Sequence, residues 1–545
     1  LPFSDPLTAL KVAQVLGERL IAGDLDDSIR SHLDSRLSAL DARTRADNNH
    51  APPVIRTPYF CSGCPHNSST VLPEGGRSYA GIGCHWMVQY IPERNTEGAT
   101  HMGGEGANWI GEAPFSTRDH VFQNIGDGTY NHSGVQAIRA AIAAGTNITY
   151  KILFNDAVAM TGGQPVDGVI TVPAIANQVR SEGVQRIAIL SDEPEKYTNK
   201  GLFPAGATFH HRDELDAVQR ELRDISGVTV LIYDQTCAAE KRRRRKRGLF
   251  PDPDRRVFIN TDVCEGCGDC GVQSNCISIE PVETELGRKR KINQSSCNKD
   301  FSCLNGFCPS FVTIEGGTIR KAATAQLDLP QMPMPQIGPI EGTHNVVITG
   351  VGGTGVVTIG AVLAQAAQID GKAAGMMEMA GLAQKGGAVH IHCRLAETPG
   401  DINAVRVATG EADALIGGDL VVSAGAKTLG LTSTGRTGAV VNSHEIITGS
   451  FTQDTEFRLP TGRLEVALQA RIRERLAMFD ASELARIVMG DSIFSNMMVF
   501  GAAWQNGLVP VSHEAITAAI EINGAAVEKN LRAFEIGRWA VLYPE

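Results

Sequence analysis

Twelve cysteines and a short Gly-Asp-Gly step are the parts of this 545-residue chain best placed to do chemistry. The cysteines are unevenly spread: three lie between Cys61 and Cys84, and seven between Cys264 and Cys308. The first residues, LPFSDPLTAL, lack the basic start and apolar core of a secretion signal. CxxC spacing in such a chain points to metal rather than disulfides, and so to a reducing, cytoplasmic setting. Cys61 and Cys64 form one such pair, and Cys84 follows in Gly-Ile-Gly-Cys. A [4Fe–4S] cluster needs four thiolates. Cys237, the one unassigned cysteine before Cys264, follows the strand-like run VTVLIYD and is taken as the fourth. Four thiolates can also hold zinc, which spacing alone leaves open.

Gly126-Asp127-Gly128 sits directly after VFQNI, a strand end. A second strand end delivers Asn155, 28 residues after Asp127, with Ala157 two residues further on. Mg²⁺ takes hard oxygen ligands in near-octahedral geometry. The Asp127 carboxylate, the Asn155 amide oxygen and the Ala157 carbonyl can supply three, leaving room for two diphosphate oxygens and a water. Glycines at 126 and 128 let backbone approach a phosphate with no Cβ in the way. Open α/β sheets bind ligands at the carboxyl ends of their strands. This spacing resembles the thiamine diphosphate motif. The continuation Thr161-Gly162-Gly163-Gln164 resembles the TGGQ that follows it in 2-oxoacid:ferredoxin oxidoreductases.

Cys264-x-x-Cys267-x-x-Cys270, with Cys308-Pro309 later, carries the bacterial ferredoxin signature. In two-cluster ferredoxins the fourth cysteine of each run serves the other cluster. By that logic Cys264, Cys267, Cys270 and Cys308 form one complete set, and Cys276, Cys297 and Cys303 a set of three. The gap before Cys276 is five residues and no proline follows it, which departs from the pattern. The second set is open between a three-iron cluster, a non-cysteine ligand such as Asp300, and no cluster. One or two ferredoxin-like clusters are therefore expected, besides the proximal one.

Near the C-terminus the strand VVIT leads into Gly350-x-Gly352-Gly353-x-Gly355 and then a helical run, the placement of a phosphate-binding turn. A dinucleotide site would want an acid at the end of the second strand; Asp370 precedes that strand instead. GVGGTG together with the later QKGG resembles the gamma domain of the same oxidoreductase family, which is associated with coenzyme A handling. Lys385 is a candidate anion contact, and Cys393 reads as a buried strand cysteine.

Taken in order, CSGCPH, GIGC, HMGGEGANWIG, GDGTYNHSG, NDAVAMTGGQ, CEGCGDC and GVGGTG resemble the indolepyruvate:ferredoxin oxidoreductases in their fused long form. The resemblance implies thiamine diphosphate, Mg²⁺, a proximal [4Fe–4S] cluster and coenzyme A as co-substrate. It implies an aromatic 2-oxoacid substrate, ferredoxin or a similar acceptor, and a homo-oligomer at full length. His132 and His66 are candidate proton donors or partners of the substrate carboxylate; His101 and Glu105 stand beside glycines that suggest tight backbone near a ligand. Thiamine enzymes also need a domain for the aminopyrimidine, and residues 1–58 are too short for it. The chain is thus expected to be a piece of a longer protein that does not turn over 2-oxoacids alone. The alternative is an iron–sulfur electron-transfer subunit or scaffold without its own 2-oxoacid activity.

Positioning such residues calls for an α/β architecture. Short β-like runs alternate with helical stretches from Tyr59 to about Asp234, which predicts a mainly parallel sheet. The expected divisions are 1–58, the tail of a preceding domain with a linker at 41–58; 59–247, the thiamine diphosphate-binding domain with its proximal cluster; 255–320, a small ferredoxin-like α+β domain; and 344–545, a second, gamma-type α/β domain. The basic run 240–247 reads as a solvated linker, with a docking patch for an acidic redox partner as the alternative. A net charge of −10 argues against a nucleic-acid binder, and no apolar run reaches the length of a membrane helix.

Overall fold

The computed structural model describes residues 9–49, 54–161, 163–166, 168, 170–317, 328–379 and 386–544. Gly162 and Lys385, both named above, lie outside the described residues.

Seven strands, β1 (Ser78–Tyr79), β2 (Thr96–Glu97), β3 (Val121–Gly126), β4 (Ile148–Phe154), β5 (Arg186–Ser191), β6 (Thr208–His211) and β7 (Val228–Asp234), make one sheet in the order β2-β1-β3-β4-β7-β5-β6. Every pairing is parallel. The central strands are near-continuous apolar runs because both faces are covered. Ile125, Ile152, Ile189 and Ile232 meet Ile138, Ile175 and Val179 of the helices Val135–Ala143 and Val172–Glu182. The alternate residues Leu153, Leu190, Leu231 and Tyr233 meet Leu215, Val218 and Leu222 of the helix Leu215–Arg223.

Lys151 breaks the apolar pattern in the middle of β4. It is fully buried, with Nζ donating to Gln219 Oε1 at 2.7 Å and Val71 O at 3.3 Å. Burial, reinforced by the Arg94 charge, lowers its ammonium to about 7. The unfolded chain then holds the extra proton between about pH 7 and pH 10.5. Stability must therefore rise with pH across that window, as the penalty on the charged form is lifted. Lys151→Met is expected to raise stability at pH 7 by about 2 kcal/mol and to flatten that slope, read by urea unfolding at pH 7 and 10.

The cysteine-rich stretch holds two small antiparallel pairs. β8 (Arg255–Ile259) pairs with β11 (Phe311–Glu315), and β9 (Ile279–Thr284) with β10 (Gly287–Ile292). Among the described residues, Ile259, Ile279, Cys264 and Cys270 form its buried cluster, so thiols fill part of the space that apolar side chains fill elsewhere.

A second large sheet contains β12 (Thr343–Val351), β13 (Ala373–Met379), β14 (Ala388–Ala396), β15 (Ala414–Gly417), β16 (Gly438–Asn442) and β17 (Leu476–Phe479), in the order β13-β14-β12-β15-β16-β17. β12, β15, β16 and β17 run parallel, and the β13–β14 edge is antiparallel. Cys393 is fully buried in β14, in keeping with its reading as a strand cysteine. Residues 328–342 form no regular element, yet Leu329, Ile337 and Ile340 pack on this sheet's core.

Two expectations are corrected. The linker read at 41–58 is helical through its first part, because one helix runs from Asp27 to Asn49. It is polar and carries no Gly or Pro, so nothing in its composition stops it. The basic run is likewise no solvated linker but the helix Ala238–Lys246, with Ala238 and Glu240 buried and most of its cations paired within the fold. No described helix is long and apolar enough to cross a membrane.

Candidate functional site

β3 and β4 are neighbours, and their carboxyl ends set Asp127 beside Asn155. Asp127 Oδ1 accepts the Gly128 N–H at 2.9 Å; Oδ2 accepts those of Asn155 and Asp156 at 2.9 and 3.0 Å. Burial pushes the carboxyl up to about 6, against the pull of these three donors. Asn155 Oδ1 is buried with no hydrogen-bond partner. Leaving an amide oxygen orphaned in this way is costly. Next to a carboxylate, it is part of the oxygen set that Mg²⁺ takes. A Cβ built on Gly128 meets nothing within 4 Å, so the backbone there is open to a bulky anion. The residues present fit a metal-bound diphosphate. Ala157 is buried and follows Asp156, a non-glycine residue at φ 59°.

The segments before this site hold it from below. Thr129 Oγ1 donates to Ile82 O at 3.0 Å. Glu105, fully buried, accepts the Gly103 N–H at 2.7 Å and the Ile82 N–H at 3.4 Å. Glu105 is thus an anchor joining the HMGGEG and GIGC segments. A π-helical turn, Tyr130–Gly134, carries His132 to the surface, where Nδ1 meets Ser133 Oγ at 2.7 Å. His66 is buried, its ring 5.5 Å from that of His85. Burial lowers His66 to about 4, and burial together with His66 holds His85 well below the usual range. Both rings are therefore neutral near pH 7, and His66 offers a carboxylate no charge.

His85 escaped the sequence reading; its only signal is its place directly after Cys84. A Cβ on Gly83 would stand 2.6 Å from His85 Cε1, and one on Gly126 3.2 Å from it. These glycines make room for a buried ring as well as for a ligand.

No disulfide joins any of the cysteines, all of which are described. No group of three or more His, Cys, Asp or Glu side chains among the described residues is arranged around a single metal-ion position. The thiols nevertheless gather in three groups. Burial raises the buried Cys64 thiol well above the usual range, and Cys61, Cys237 and Cys84, in its immediate field, raise it further. Cys64 N bonds to Cys61 O at 3.0 Å, closing the CxxC turn. Cys237 comes at the end of β7, and its N–H donates to Asn155 O at 2.9 Å. The fourth thiol is thus bonded through its backbone to the residue that offers the orphaned amide.

Cys264, Cys267, Cys270 and Cys308 line one cavity of ≈ 320 Å³, with Arg290 and Phe307 on its wall. Burial raises Cys270 to about 11. Cys276, Cys297 and Cys303 form the third group. Cys303 is pushed up to about 12, by burial and then by Cys276, Cys297 and Asp300. The Gly63 N–H reaches the Cys276 thiol, so this group abuts the CxxC turn. Asp300 does stand among these thiols, but its oxygens are engaged. Oδ1 accepts from Arg212 at 2.6 Å and Gln235 at 2.8 Å, and Oδ2 accepts from Ser302 at 2.5 Å. The first two groups offer the four thiols that a [4Fe–4S] cluster takes; the third offers three, with Asp300 already engaged beside it.

Residues 158–164 fold back on themselves: Val158 N donates to Gln164 O at 2.8 Å and Gly163 N to Val158 O at 3.0 Å. Thr161 ends a short 3₁₀ turn just before.

In the second sheet Gly350 lies near the end of β12, and residues 352–355 link that strand to the helix Val356–Ile369. Gly353 and Gly355 have φ 86° and 93°, which favours glycine. Gly352 already gives its N–H to Gly387 O at 2.8 Å and accepts the Gly386 N–H at 3.1 Å. A Cβ on Gly350 would meet Val356 at 2.3 Å. Part of this turn thus serves the protein's own packing. Just past the end of β15, the buried Asp419 is paired with Arg56.

Parts of the chain are similar to known proteins. Residues 81–233 match the thiamine pyrophosphate enzyme C-terminal TPP-binding domain, and residues 345–540 the pyruvate ferredoxin/flavodoxin oxidoreductase domain. The chain is 25% identical over 287 residues to indolepyruvate oxidoreductase subunit IorA of Thermococcus kodakarensis, covering 47% of this chain and 40% of that one. It is 29% identical over 195 residues to subunit IorB of Archaeoglobus fulgidus, covering 35% of this chain and 92% of that one. Among solved structures, the gamma subunit of a keto/oxoacid ferredoxin oxidoreductase from Geobacter sulfurreducens aligns at 23% identity, over 37% of this chain and 98% of that one, with a TM-score of 0.28. The chain therefore spans about 40% of the length of the IorA relatives it matches. A thiamine pyrophosphate domain and an oxidoreductase domain in one polypeptide, with similarity to both IorA and IorB, support a member of the 2-oxoacid:ferredoxin oxidoreductase family.

Proposed function

We propose that this chain carries the thiamine diphosphate- and iron–sulfur-dependent part of an enzyme that oxidatively decarboxylates an aromatic, indolepyruvate-like 2-oxoacid. The acyl group goes to coenzyme A and the electrons to ferredoxin. The observation that carries this reading is the meeting of three residues: Asp127 and Asn155 side by side, and Cys237 bonded to Asn155 O. The aromatic substrate is supported by the names of the IorA and IorB relatives.

Bound thiamine diphosphate supplies the electron sink for loss of carbon dioxide from a 2-oxoacid. In this chain Asp127, Asn155 and the Ala157 carbonyl would hold its Mg²⁺. Gly126, Gly128 and the loop ending in Gly163 and Gln164 would take the diphosphate. Cys61, Cys64, Cys84 and Cys237 would hold the cluster next to it. The neutral His66 and His85 rings, with Phe60, Met87 and Val88, keep water from that pair. Cys276, Cys297 and Cys303 adjoin this group. Cys264, Cys267, Cys270 and Cys308 lie beyond, with Cys267 and Phe307 exposed where an acceptor such as ferredoxin can approach. The Gly350–Gly355 turn is the candidate contact for coenzyme A.

Asp127→Ala tests the reading directly. Titration calorimetry with thiamine diphosphate in Mg²⁺ is expected to show affinity falling at least about 100-fold, the loss of a charged ligand to the metal. An unchanged dissociation constant would remove the metal assignment and the function with it.

A further inference from the structure

The helix Ala238–Lys246 touches both halves of the site. It starts at Cys237, whose N–H is bonded to Asn155 O, continuing the β4–β7 pairing in which Gln235 N donates to Phe154 O at 3.1 Å. Two turns on, Arg244 reaches back to the residue after Asn155. Its NH1 donates to Asp156 Oδ2 at 2.6 Å, and its NH2 to Asp156 O at 3.2 Å. Asp156 is the non-glycine residue held at φ 59°, a conformation disfavoured for a side-chain-bearing residue. Its N–H is given to Asp127 and its carbonyl and carboxylate are taken by Arg244, so both sides of this residue are gripped. The following residue, Ala157, carries the carbonyl assigned to the metal.

The same helix holds the other end of the loop. Glu240 is buried, is ion-paired with Arg243, and lies against Gly163; a Cβ there would stand 2.0 Å from Glu240 Oε1. Gly163 has φ 85°, so the loop passes at its closest approach through a conformation suited to glycine. Lys241 is fixed to Asp192 at 2.7 Å. Cys237, Asn155, Asp156 and Gly163 are thereby members of one braced unit, some seven residues of helix long, or roughly 10 Å at 1.5 Å per residue.

We propose that this helix couples the two cofactor sites, with Arg244 and Glu240 as positioning residues: a cluster that pins Cys237 sets the metal-binding loop and tightens thiamine diphosphate binding. The inference rests on the function proposed above. Coupling is reciprocal, so bound thiamine diphosphate also strengthens the cluster's hold on Cys237.

A double-mutant cycle on the full chain, reconstituted anaerobically with iron and sulfide, tests it. The readout is thiamine diphosphate affinity in Mg²⁺. Cys237→Ser is expected to weaken binding about tenfold although it removes no diphosphate ligand, and Arg244→Ala to weaken it by a similar factor. Because both act through one brace, Cys237→Ser/Arg244→Ala should lose no more than about threefold beyond either alone. Asp156→Gly breaks the same grip from the loop side with a residue that accepts the backbone angle, and should match Arg244→Ala. The cluster's electron paramagnetic resonance spectrum should shift on adding thiamine diphosphate to the wild type and not to Arg244→Ala. Losses that multiply in the double variant, or Cys237→Ser binding as tightly as wild type, overturn the coupling. If Asp127→Ala still abolishes binding in that case, the proposed function stands and only the coupling falls.

Discussion

Arg56→Ala is expected to cost about 3–5 kcal/mol of folding stability, the penalty for stranding a buried charge. The guanidinium lies across the Asp419 carboxylate, with Nε to Oδ1 at 3.0 Å and NH2 to Oδ2 at 2.8 Å. The two side chains are 2% and 1% exposed, so solvent does little to screen the loss. Arg56 also donates to the carbonyls of Ile446 at 2.6 Å and Ile447 at 3.3 Å. Among the described residues, removing it leaves the Asp419 carboxylate with the Val422 N–H that caps the following helix. Denaturant unfolding checks the figure, and a midpoint unmoved from wild type would mean the pair is solvated. The double replacement Arg56→Met/Asp419→Leu should recover most of the loss, because an apolar pair of similar size carries no desolvation penalty. The effect should reach the first thiol group too. Five residues after Arg56, Cys61 packs against the cluster that contains Tyr59, whose hydroxyl meets Asn275 Oδ1 and Thr452 Oγ1 at 2.5 Å each. Iron content at the proximal site is expected to fall along with stability.

The second large effect is expected from Arg212→Ala. Arg212 and Asp300 are 10% and 9% exposed, and Arg212 holds both the Asp300 carboxylate and its carbonyl, at 2.6 and 2.9 Å. Without the cation, Asp300 is left as an uncompensated charge beside Cys276, Cys297 and Cys303, held only by Gln235 and Ser302. A loss of about 2–4 kcal/mol follows. The added negative potential should also make a cluster in that group harder to reduce, lowering its midpoint potential in an electron paramagnetic resonance redox titration. Arg212→Lys restores the charge but not the fork to two oxygens, so it should recover the potential more fully than the stability. A midpoint that stays at the wild-type value in Arg212→Ala would show that Asp300 does not act on this group.

Much of the candidate site was legible before any coordinates. Asp127 and Asn155 were found because strand ends are marked by local signals: an apolar run, then glycine or a polar residue. CxxC and CxxCxxC spacings are short-range too, and the complete set with Cys308 was assigned by analogy to a ferredoxin run. Cys237 joins Cys61, Cys64 and Cys84 by cysteine count, by its place after a strand-like run and by family resemblance, not by any local spacing. The basic run has the composition of a solvated segment, yet it folds as a helix with most of its cations paired. Two of its partners, Asp156 and Asp192, lie far from it in the chain and leave no mark on the run itself.

The amino-acid sequence by itself determined the two α/β sheets, the order of the motifs along the chain and the chemical types gathered at each site. Those follow from hydrophobic periodicity and from ligand spacing, which act within a few turns or one strand. Only the tertiary structure decided how the parts grip one another: Arg56 with Asp419, 363 residues away, Arg212 with Asp300, 88 away, and Arg244 with Asp156, also 88 away. A charge pair has no period and no preferred separation along the chain. It is selected by the packing that brings two distant surfaces together and excludes water from between them.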